Sequence, residues 1–411
     1  MNFSKSDVTY VGGRGEFLHD WFYYLESYSE NFIYKTLNEF DVDPALVYDP
    51  FAGIGTTPVS LAKQGFSSVY SEINPAMSFV TNSKLKYLKL SSNDKNNIIN
   101  DLKCFLEELK KSSFDKDLEL ENAYSEAFKD SIYFSEINYE QILRISNGIE
   151  SFNFKHNFSK TLVLVITSSI LVQTSLLKRA GDLRFKTKKD LLKGVPEFNQ
   201  IFIEKVLRFI NYLNEEVANQ IKKKKFTSKL VVDNAKKLHT ISTDKFSGVI
   251  TSPPYLNGTS YFRNTKLELW FLKYLKHTSQ MQNFRKLAVT GGINNVQQFE
   301  DGELQVLPEV KKVYNQLLKN NYDSRIPIMI TSYFNDMDLV VKGIKLNIKK
   351  EGKVCIDIGD SIFNGIHVKT DKILENTLLN HGFKKIKNIK LRDRRSKNGS
   401  PLSQRLLVFK A

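Results

Sequence analysis

Hydrophobic positions follow two rhythms along this chain. Short β-type runs end in turn chemistry at Leu46-Val47-Tyr48, Ser68-Val69-Tyr70, Leu230-Val231-Val232, Gly248-Val249-Ile250, Val354-Cys355-Ile356 and Leu406-Leu407-Val408-Phe409. The first two lie about twenty residues apart with a helical stretch over residues 57–64 between them, the spacing of a strand-helix-strand unit in a parallel sheet. The roughly 150 residues between the second and third runs change to a helical period. Ile98, Leu102, Phe105, Leu106 and Leu109 share one helical face, as do Ile203, Val206, Leu207, Ile210, Leu213 and Val217, ahead of a basic run at residues 222–225. Met337, Val340, Val341, Ile344 and Ile348 predict a further helix. Lys349 and Lys350 fall in its last turn, Gly352 stops it, and the next strand starts at Lys353. The pattern predicts an α/β sheet protein with a largely helical insertion.

A length of 411 residues leaves room for one large domain with an insertion, or for two domains. The apolar share of 41% and the charged share of 26% are those of a globular protein with a sizeable core. The two cysteines, Cys104 and Cys355, form neither a disulfide framework nor a zinc cluster and read as buried small hydrophobes. The six histidines show no metal spacing, so no metal is expected. The longest apolar stretch, residues 161–177, is interrupted by Thr167, Ser168, Ser169 and Gln173 and is too short and polar to span a bilayer. The polar opening residues carry no signal-peptide pattern, so a cytoplasmic protein is expected. A net charge of +15 suits a polyanionic partner, because neutralised phosphates release counterions; a lysine-rich surface without that role fits as well.

The candidate chemistry sits where strands end. Ser252-Pro253-Pro254-Tyr255 follows the run Val249-Ile250-Thr251. Two prolines lock φ, remove two amide donors and hold the preceding residues extended. The result is a rigid corner presenting a hydroxyl, carbonyls and an aromatic face, able to hold a flat amine-bearing ring. Upstream, Asp49-Pro50-Phe51-Ala52-Gly53-Ile54-Gly55-Thr56-Thr57 passes from strand to helix, and its glycines permit close approach of a ligand. Pro58 stands where a dinucleotide fingerprint places a third glycine, and no Gly-Lys-Ser/Thr follows, which disfavours a pyrophosphate cofactor. The acidic Asp49 before the loop suits a cationic amine. Glu72 closes the second run, where a carboxylate can take both hydroxyls of a ribose, and Asp233 ends the third, where it can accept from an adenine amine. An amino acid, a ribose and an adenine together make S-adenosylmethionine.

With these residues in place the chain resembles the amino-methyltransferases of DNA. Residues 49–56 match the family's Asp-Pro-Phe-x-Gly-x-Gly-Thr cofactor loop, Glu72 its acidic residue at the second strand end, and Ser252-Pro253-Pro254-Tyr255 its (Asp/Asn/Ser)-Pro-Pro-(Tyr/Phe) catalytic motif. Phe17-Leu18-His19-Asp20-Trp21-Phe22, leading to Ser27-Tyr28-Ser29, is similar to the leading motif that closes over the methionine end. The resemblance covers residues 1–88 and most of 228–411. It implies a doubly wound, mostly parallel Rossmann-like sheet and direct methyl transfer from S-adenosyl-L-methionine to an exocyclic amine of a base flipped out of duplex DNA. It implies cofactor contacts from Asp49, Phe51, Gly53, Gly55, Thr56, Glu72, Asp233 and His19, and catalysis by the tetrapeptide. Serine in first position points to N4 of cytosine ahead of N6 of adenine, with an RNA amine or a non-catalytic nucleic-acid-binding module as the other readings. Restriction-modification with a separately encoded endonuclease is the family's usual setting.

Five segments are expected: residues 1–88, 228–275 and 326–411 as parts of the catalytic domain, 89–227 as the insertion, and 276–325 as a target-recognition segment. The insertion and residues 276–325 should form a basic wall facing the cleft. Lys178, Arg179 and Arg184, in a stretch mixing basic residues, glycine and aromatics, and Tyr261 and Arg263, just after the corner, are candidate nucleic-acid contacts. Tyr261 and Arg263 can equally start a packed helix, His19 can be structural, and residues 222–225 read as a solvated helix end. Arg392, Arg394 and Arg395 can touch phosphate or cap the sheet edge. Asp357 and Asp360 flank Gly359 in what reads as a turn.

Overall fold

A seven-stranded sheet organises the chain, with strands β1 (Leu46–Asp49), β2 (Ser67–Tyr70), β5 (Ser228–Leu230), β6 (Phe246–Thr251), β7 (Ile348–Gly359), β10 (Lys384–Arg395) and β11 (Pro401–Lys410) in the order β10-β11-β7-β6-β1-β2-β5. This computed structural model describes residues 3–24, 26–111, 114–219, 224–256, 260–296, 304–320, 323–396 and 398–411. The pairs β1·β2, β1·β6, β2·β5 and β6·β7 are parallel, and β11 runs antiparallel to both its neighbours. The chain walks outward from β1 through β2 to β5, then returns to the other side of β1 as β6. That reversal opens a crevice at the carboxyl ends of β1 and β6, where open α/β sheets bind ligands. The fold is a mostly parallel, Rossmann-like α/β sheet with a large helical region, as expected.

The central strands are apolar because both faces are covered. Every residue of β6 is buried, and so are the last three of β1 and β2. Helices Thr56–Gln64, Pro75–Tyr87 and Arg325–Asn347 supply flanking layers. Between β2 and β5, helices Ser92–Lys111, Leu118–Phe128, Glu136–Ser151, Asn157–Ile170 and Phe198–Ala218 share a core with Trp21, Tyr87 and Trp270. The apolar stretch in residues 161–177 belongs mostly to the central helix of this bundle, whose Leu162, Val163, Val165 and Ile166 are fully buried. No helix among the described residues is long and apolar enough to cross a membrane.

Several expected boundaries move. The third run forms a strand only over Ser228–Leu230; Val231 N–H still donates to the Tyr70 carbonyl at 2.9 Å, and Val231 and Val232 pack on the apolar cluster of helix Arg325–Asn347. The long helix stops at Asn347: Ile348 is buried and pairs with Phe246, so Lys349 and Lys350 belong to β7, and the left-handed turn residue is Glu351 (φ 69°) instead of Gly352. Strand β10 gave no apolar signal because it is an edge strand. Lys384, Lys385, Lys387 and Lys390 line it, a composition that blocks pairing with another sheet. Residues 177–185 form a hairpin of β3 (Leu177–Ala180) and β4 (Asp182–Phe185) turning at Gly181. A second hairpin, β8 (Ser361–Phe363) with β9 (Ile366–Val368), follows β7. Leu207 is 47% exposed, on the solvent side of the helix whose Val206, Ile210 and Leu213 are buried. Cys104 is exposed, which corrects its expected burial, and Cys355 is buried. Lys222, Lys223, residues 297–303 and residues 321–322 lie outside the described residues.

Trp270, in the short helix Lys266–Phe271, joins the post-tetrapeptide segment to the helical region: it is fully buried, its indole N–H donates to the Leu120 carbonyl at 2.9 Å, and it packs on Tyr124. Trp270→Ala should cost about 3–5 kcal/mol, read as a lowered urea midpoint.

Candidate active site

A cavity of about 260 Å³ opens at the carboxyl ends of the parallel strands. Phe51, Gly53 and Thr56 after β1, Glu72 after β2, Asp233 after β5, and Ser252-Pro253-Pro254-Tyr255 after β6 all line it. Residues separated by about 200 positions in sequence thus share one wall. Gly55, with φ 86°, turns the chain into helix Thr56–Gln64, and a Cβ there would sit 2.8 Å from Thr81.

Asp49 occupies a different place from the one expected. It lies beneath the cavity instead of lining it, and its oxygens are already engaged. Oδ1 accepts from the Thr251 hydroxyl at 2.6 Å and from the Phe51 N–H at 3.0 Å, while Oδ2 accepts from the Tyr28 hydroxyl at 3.3 Å. Burial raises its pKa, and the Thr251 hydrogen bond leads the opposing effects. Asp49 therefore clamps β1 to β6. Four acids line the cavity instead: Glu26, Glu72, Asp233 and Asp357. Burial raises the pKa of Glu26 against the pull of Arg179. Glu72 accepts from Gly53 N–H at 2.7 Å and Asn74 N–H at 2.8 Å, yet burial still pushes its carboxyl up to about 7. Asn74 then caps helix Pro75–Tyr87 and donates to Thr265 at 2.8 Å, tying the Glu72 turn to the segment after the tetrapeptide.

Tyr255 is held from several sides. Its N–H donates to the Tyr261 hydroxyl at 3.3 Å, its own hydroxyl donates to Asp357 Oδ2 at 3.2 Å, and the Arg394 guanidinium lies 5.1 Å from its ring centroid. Asp357, on β7, also accepts from Gln404 on β11; burial raises its pKa to about 6, and Gln404 and Tyr255 pull it back. Glu26, Asp357, Arg392, Arg394 and Gln404 line the cavity and were not assigned to it from sequence. One signal was available: Asp357 is a charge at the end of a run whose Val354, Cys355 and Ile356 are buried. Asp360, its neighbour in the expected turn, instead accepts from Ser403 N–H at 2.7 Å and meets His367 at 2.7 Å. No cluster among the described residues could hold a metal ion.

Other candidates sit apart from the cavity. His19 does not line it: its Nε2 meets the Tyr10 carbonyl at 3.0 Å, its ring packs on Tyr10, and burial, aided by Lys84, lowers its pKa to about 4. Tyr261 lines the cavity, whereas Arg263 on the same short helix is exposed outside it. Arg179 is not a free cation. It pairs with the buried Glu268 and donates to the Tyr23 carbonyl at 2.9 Å. Lys178 pairs with Asp190, and Arg184 stands exposed across the hairpin from it. Asn264 docks this hairpin beside the tetrapeptide, accepting from Leu183 N–H at 2.8 Å and donating to the Gly181 carbonyl at 2.9 Å. From residues 276–325, Leu287, Ala288 and Val289 reach the cavity wall, and all three are apolar.

The sheet order and the crevice at its reversal define a Rossmann-like α/β fold. No family model matches the chain. It is similar to the type II methyltransferase M.BsoBI of Geobacillus stearothermophilus, 22% identical over 450 aligned positions that span 98% of this chain and 86% of the relative. Among solved structures, the rRNA methyltransferase aviRa from Streptomyces viridochromogenes aligns over 93% of this chain and 83% of its own, at 8% identity and a TM-score of 0.31. The near full-length similarity to M.BsoBI supports a methyltransferase.

Arg179→Ala should leave Glu268, 1% exposed, as an uncompensated buried carboxylate. A loss of about 3–5 kcal/mol in urea denaturation is expected, with a normal midpoint refuting the structural assignment.

Proposed function

We propose that this protein is a DNA methyltransferase that moves a methyl group from S-adenosyl-L-methionine to the N4 amine of cytosine in duplex DNA, after flipping the base into the cavity. The observation that carries the reading is the convergence of Glu72 and the whole Ser252-Pro253-Pro254-Tyr255 corner on one cavity at the sheet's reversal point. The residues present fit the cofactor. Glu72 faces the cavity with a carboxyl whose two backbone hydrogen bonds leave lone pairs for ribose hydroxyls, and Asp233 and Asn234 line the adjoining wall for an adenine. Phe51, Gly53 and Thr56 border the same space, and Glu26 supplies the acid facing an amino group that Asp49 cannot. When bound, S-adenosylmethionine supplies an electrophilic methyl group on sulfonium.

The chain's own residues do the rest. The Ser252 hydroxyl and the Pro253 carbonyl accept hydrogen bonds from the amine, which orients its lone pair toward the incoming methyl. Tyr255 stacks on the extruded ring, a contact worth about 1–3 kcal/mol. Holding both reactants in line supplies most of the acceleration. No covalent enzyme intermediate is needed, and Cys355 is buried in β7 away from such a role. Serine in the first motif position favours cytosine over adenine. The net charge of +15 supports a polyanionic substrate. Lys178, Arg184 and Arg263 remain the proposed phosphate contacts, with Arg179 and His19 serving the scaffold instead. A restriction-modification setting with a separately encoded endonuclease is proposed as the usual one of the DNA amino-methyltransferases that the chain resembles.

Ser252→Ala and Tyr255→Ala should lose at least about 100-fold in methyl transfer while keeping cofactor affinity by calorimetry. Gly53→Leu, at φ 55°, should lose cofactor binding itself. Tritiated cofactor offered with duplex DNA and total RNA should label DNA at N4-methylcytosine; label in RNA alone, or at adenine, would overturn the substrate assignment. Because Glu72 titrates near 7 and only its ionised form accepts from both ribose hydroxyls, cofactor affinity should be flat at higher pH. It should fall by up to about tenfold per unit as pH drops below that value, and Glu72→Gln should abolish the dependence.

A further inference from the structure

The two C-terminal strands reach into the cavity through a directional hydrogen-bond chain that the methyl-transfer reading does not use. Arg392 Nε on β10 donates to Gln404 Oε1 on β11 at 2.5 Å. Gln404 Nε2 donates to both oxygens of Asp357 on β7, at 2.8 and 2.7 Å, and the Tyr255 hydroxyl donates to Asp357 Oδ2 at 3.2 Å. The polarity is forced. Arginine only donates and an ionised carboxylate only accepts, so the amide between them has one workable orientation. Gln404 is 1% exposed and Asp357 2%, which shields the chain from competing water.

We propose that Asp357, oriented by Gln404 and Arg392, is a positioning residue that sets the tilt of the Tyr255 ring. The inference rests on the proposed stacking role of Tyr255. The Pro253-Pro254 backbone and the Tyr261 hydroxyl fix where Tyr255 begins. Its side chain still has to be aimed, and only the hydroxyl end offers a polar handle. Asp357 grips that end from β7 and the Ser252 side chain meets it from the corner, while the Arg394 guanidinium and the backbone of Gly359 crowd the ring. A Cβ at Gly359 would come within 2.9 Å of Tyr255 Cε2 and 2.0 Å of Arg394 Nη1, so ring, guanidinium and strand are fitted to one another. The charged and titratable groups around Asp357 are Tyr255, Arg392 and Arg394, with Tyr28 close enough to feel its charge.

The test exchanges the polarity of the chain. Asp357→Asn opposes two amide N–H groups, whereas adding Gln404→Glu lets the new carboxylate accept from Arg392 and from the new asparagine's N–H, leaving that asparagine's carbonyl to accept from the Tyr255 hydroxyl. Full-length protein labelled with 3-fluorotyrosine, with the resonance of residue 255 assigned by Tyr255→Phe, reports the ring whether or not the protein is active. The single variant should shift or broaden that resonance and lose about 100-fold in kcat for DNA methylation, the penalty of a misplacement of about 1 Å, with cofactor affinity unchanged. The double variant should restore the resonance and most of kcat. A normal resonance or a normal kcat in Asp357→Asn would overturn the inference, as would a double variant that recovers the ring but not kcat, which would show that the carboxylate itself is needed. A resonance that moves and recovers as expected in a protein that methylates no nucleic acid would instead overturn the proposed function and leave the aiming of the ring established.

Discussion

The bond between Asp49 and Thr251 is the contact on which the rest of the site depends. β1 and β6 are neighbours in space but about 200 residues apart in sequence, and the crevice exists only if they end at the same height. A buried carboxylate takes the Thr251 hydroxyl on one oxygen and the Tyr28 hydroxyl on the other, and its Phe51 bond turns the chain into the glycine loop. Hydrogen bonds to a charged group are worth about 1.5–3 kcal/mol each, and together they offset part of the cost of burying the charge, whose pKa stays raised. One side chain thus sets the strand register, the loop and the leading segment.

Around this clamp the site is assembled from both ends of the chain. The parallel half contributes the turns after β1, β2, β5 and β6, which the sheet's reversal brings to a common rim. The antiparallel pair β10 and β11 contributes Arg392, Arg394 and Gln404 from beside β7. The helical region supports the opposite wall: its hairpin is pinned by Asn264 and by the Arg179–Glu268 pair, and Trp270 anchors the following helix in its core. A cavity built this way has rigid walls, which suits direct transfer between two held reactants.

How much was legible follows from the range of each interaction. The strand-end motifs could be read because tight turns and locked prolines are local demands on residue type: Gly55 at positive φ and Pro253-Pro254 after a buried strand look the same in any context. Strand β10 could not be read, because an edge strand is defined by what it lacks on one side, and its lysines mimic a loop. Arg179 looked like a free cation for the same reason, since the glutamate that neutralises it lies 89 positions later.

By itself the sequence determined the α/β alternation, the helical region, the glycine turn and the proline corner, all products of periodicity and backbone restriction within a few residues. Only the tertiary structure decided which acid faces the cavity and which lies beneath it. Asp49 is the last residue of β1 and Glu72 lies two residues past β2, and both are acids at the rim of buried strands. The difference is made by Thr251 and Tyr28, which reach Asp49 from distant segments and use up its oxygens, while Glu72 keeps a face open. Competition for hydrogen-bond partners across the fold sorted two carboxylates into a clamp and a ligand.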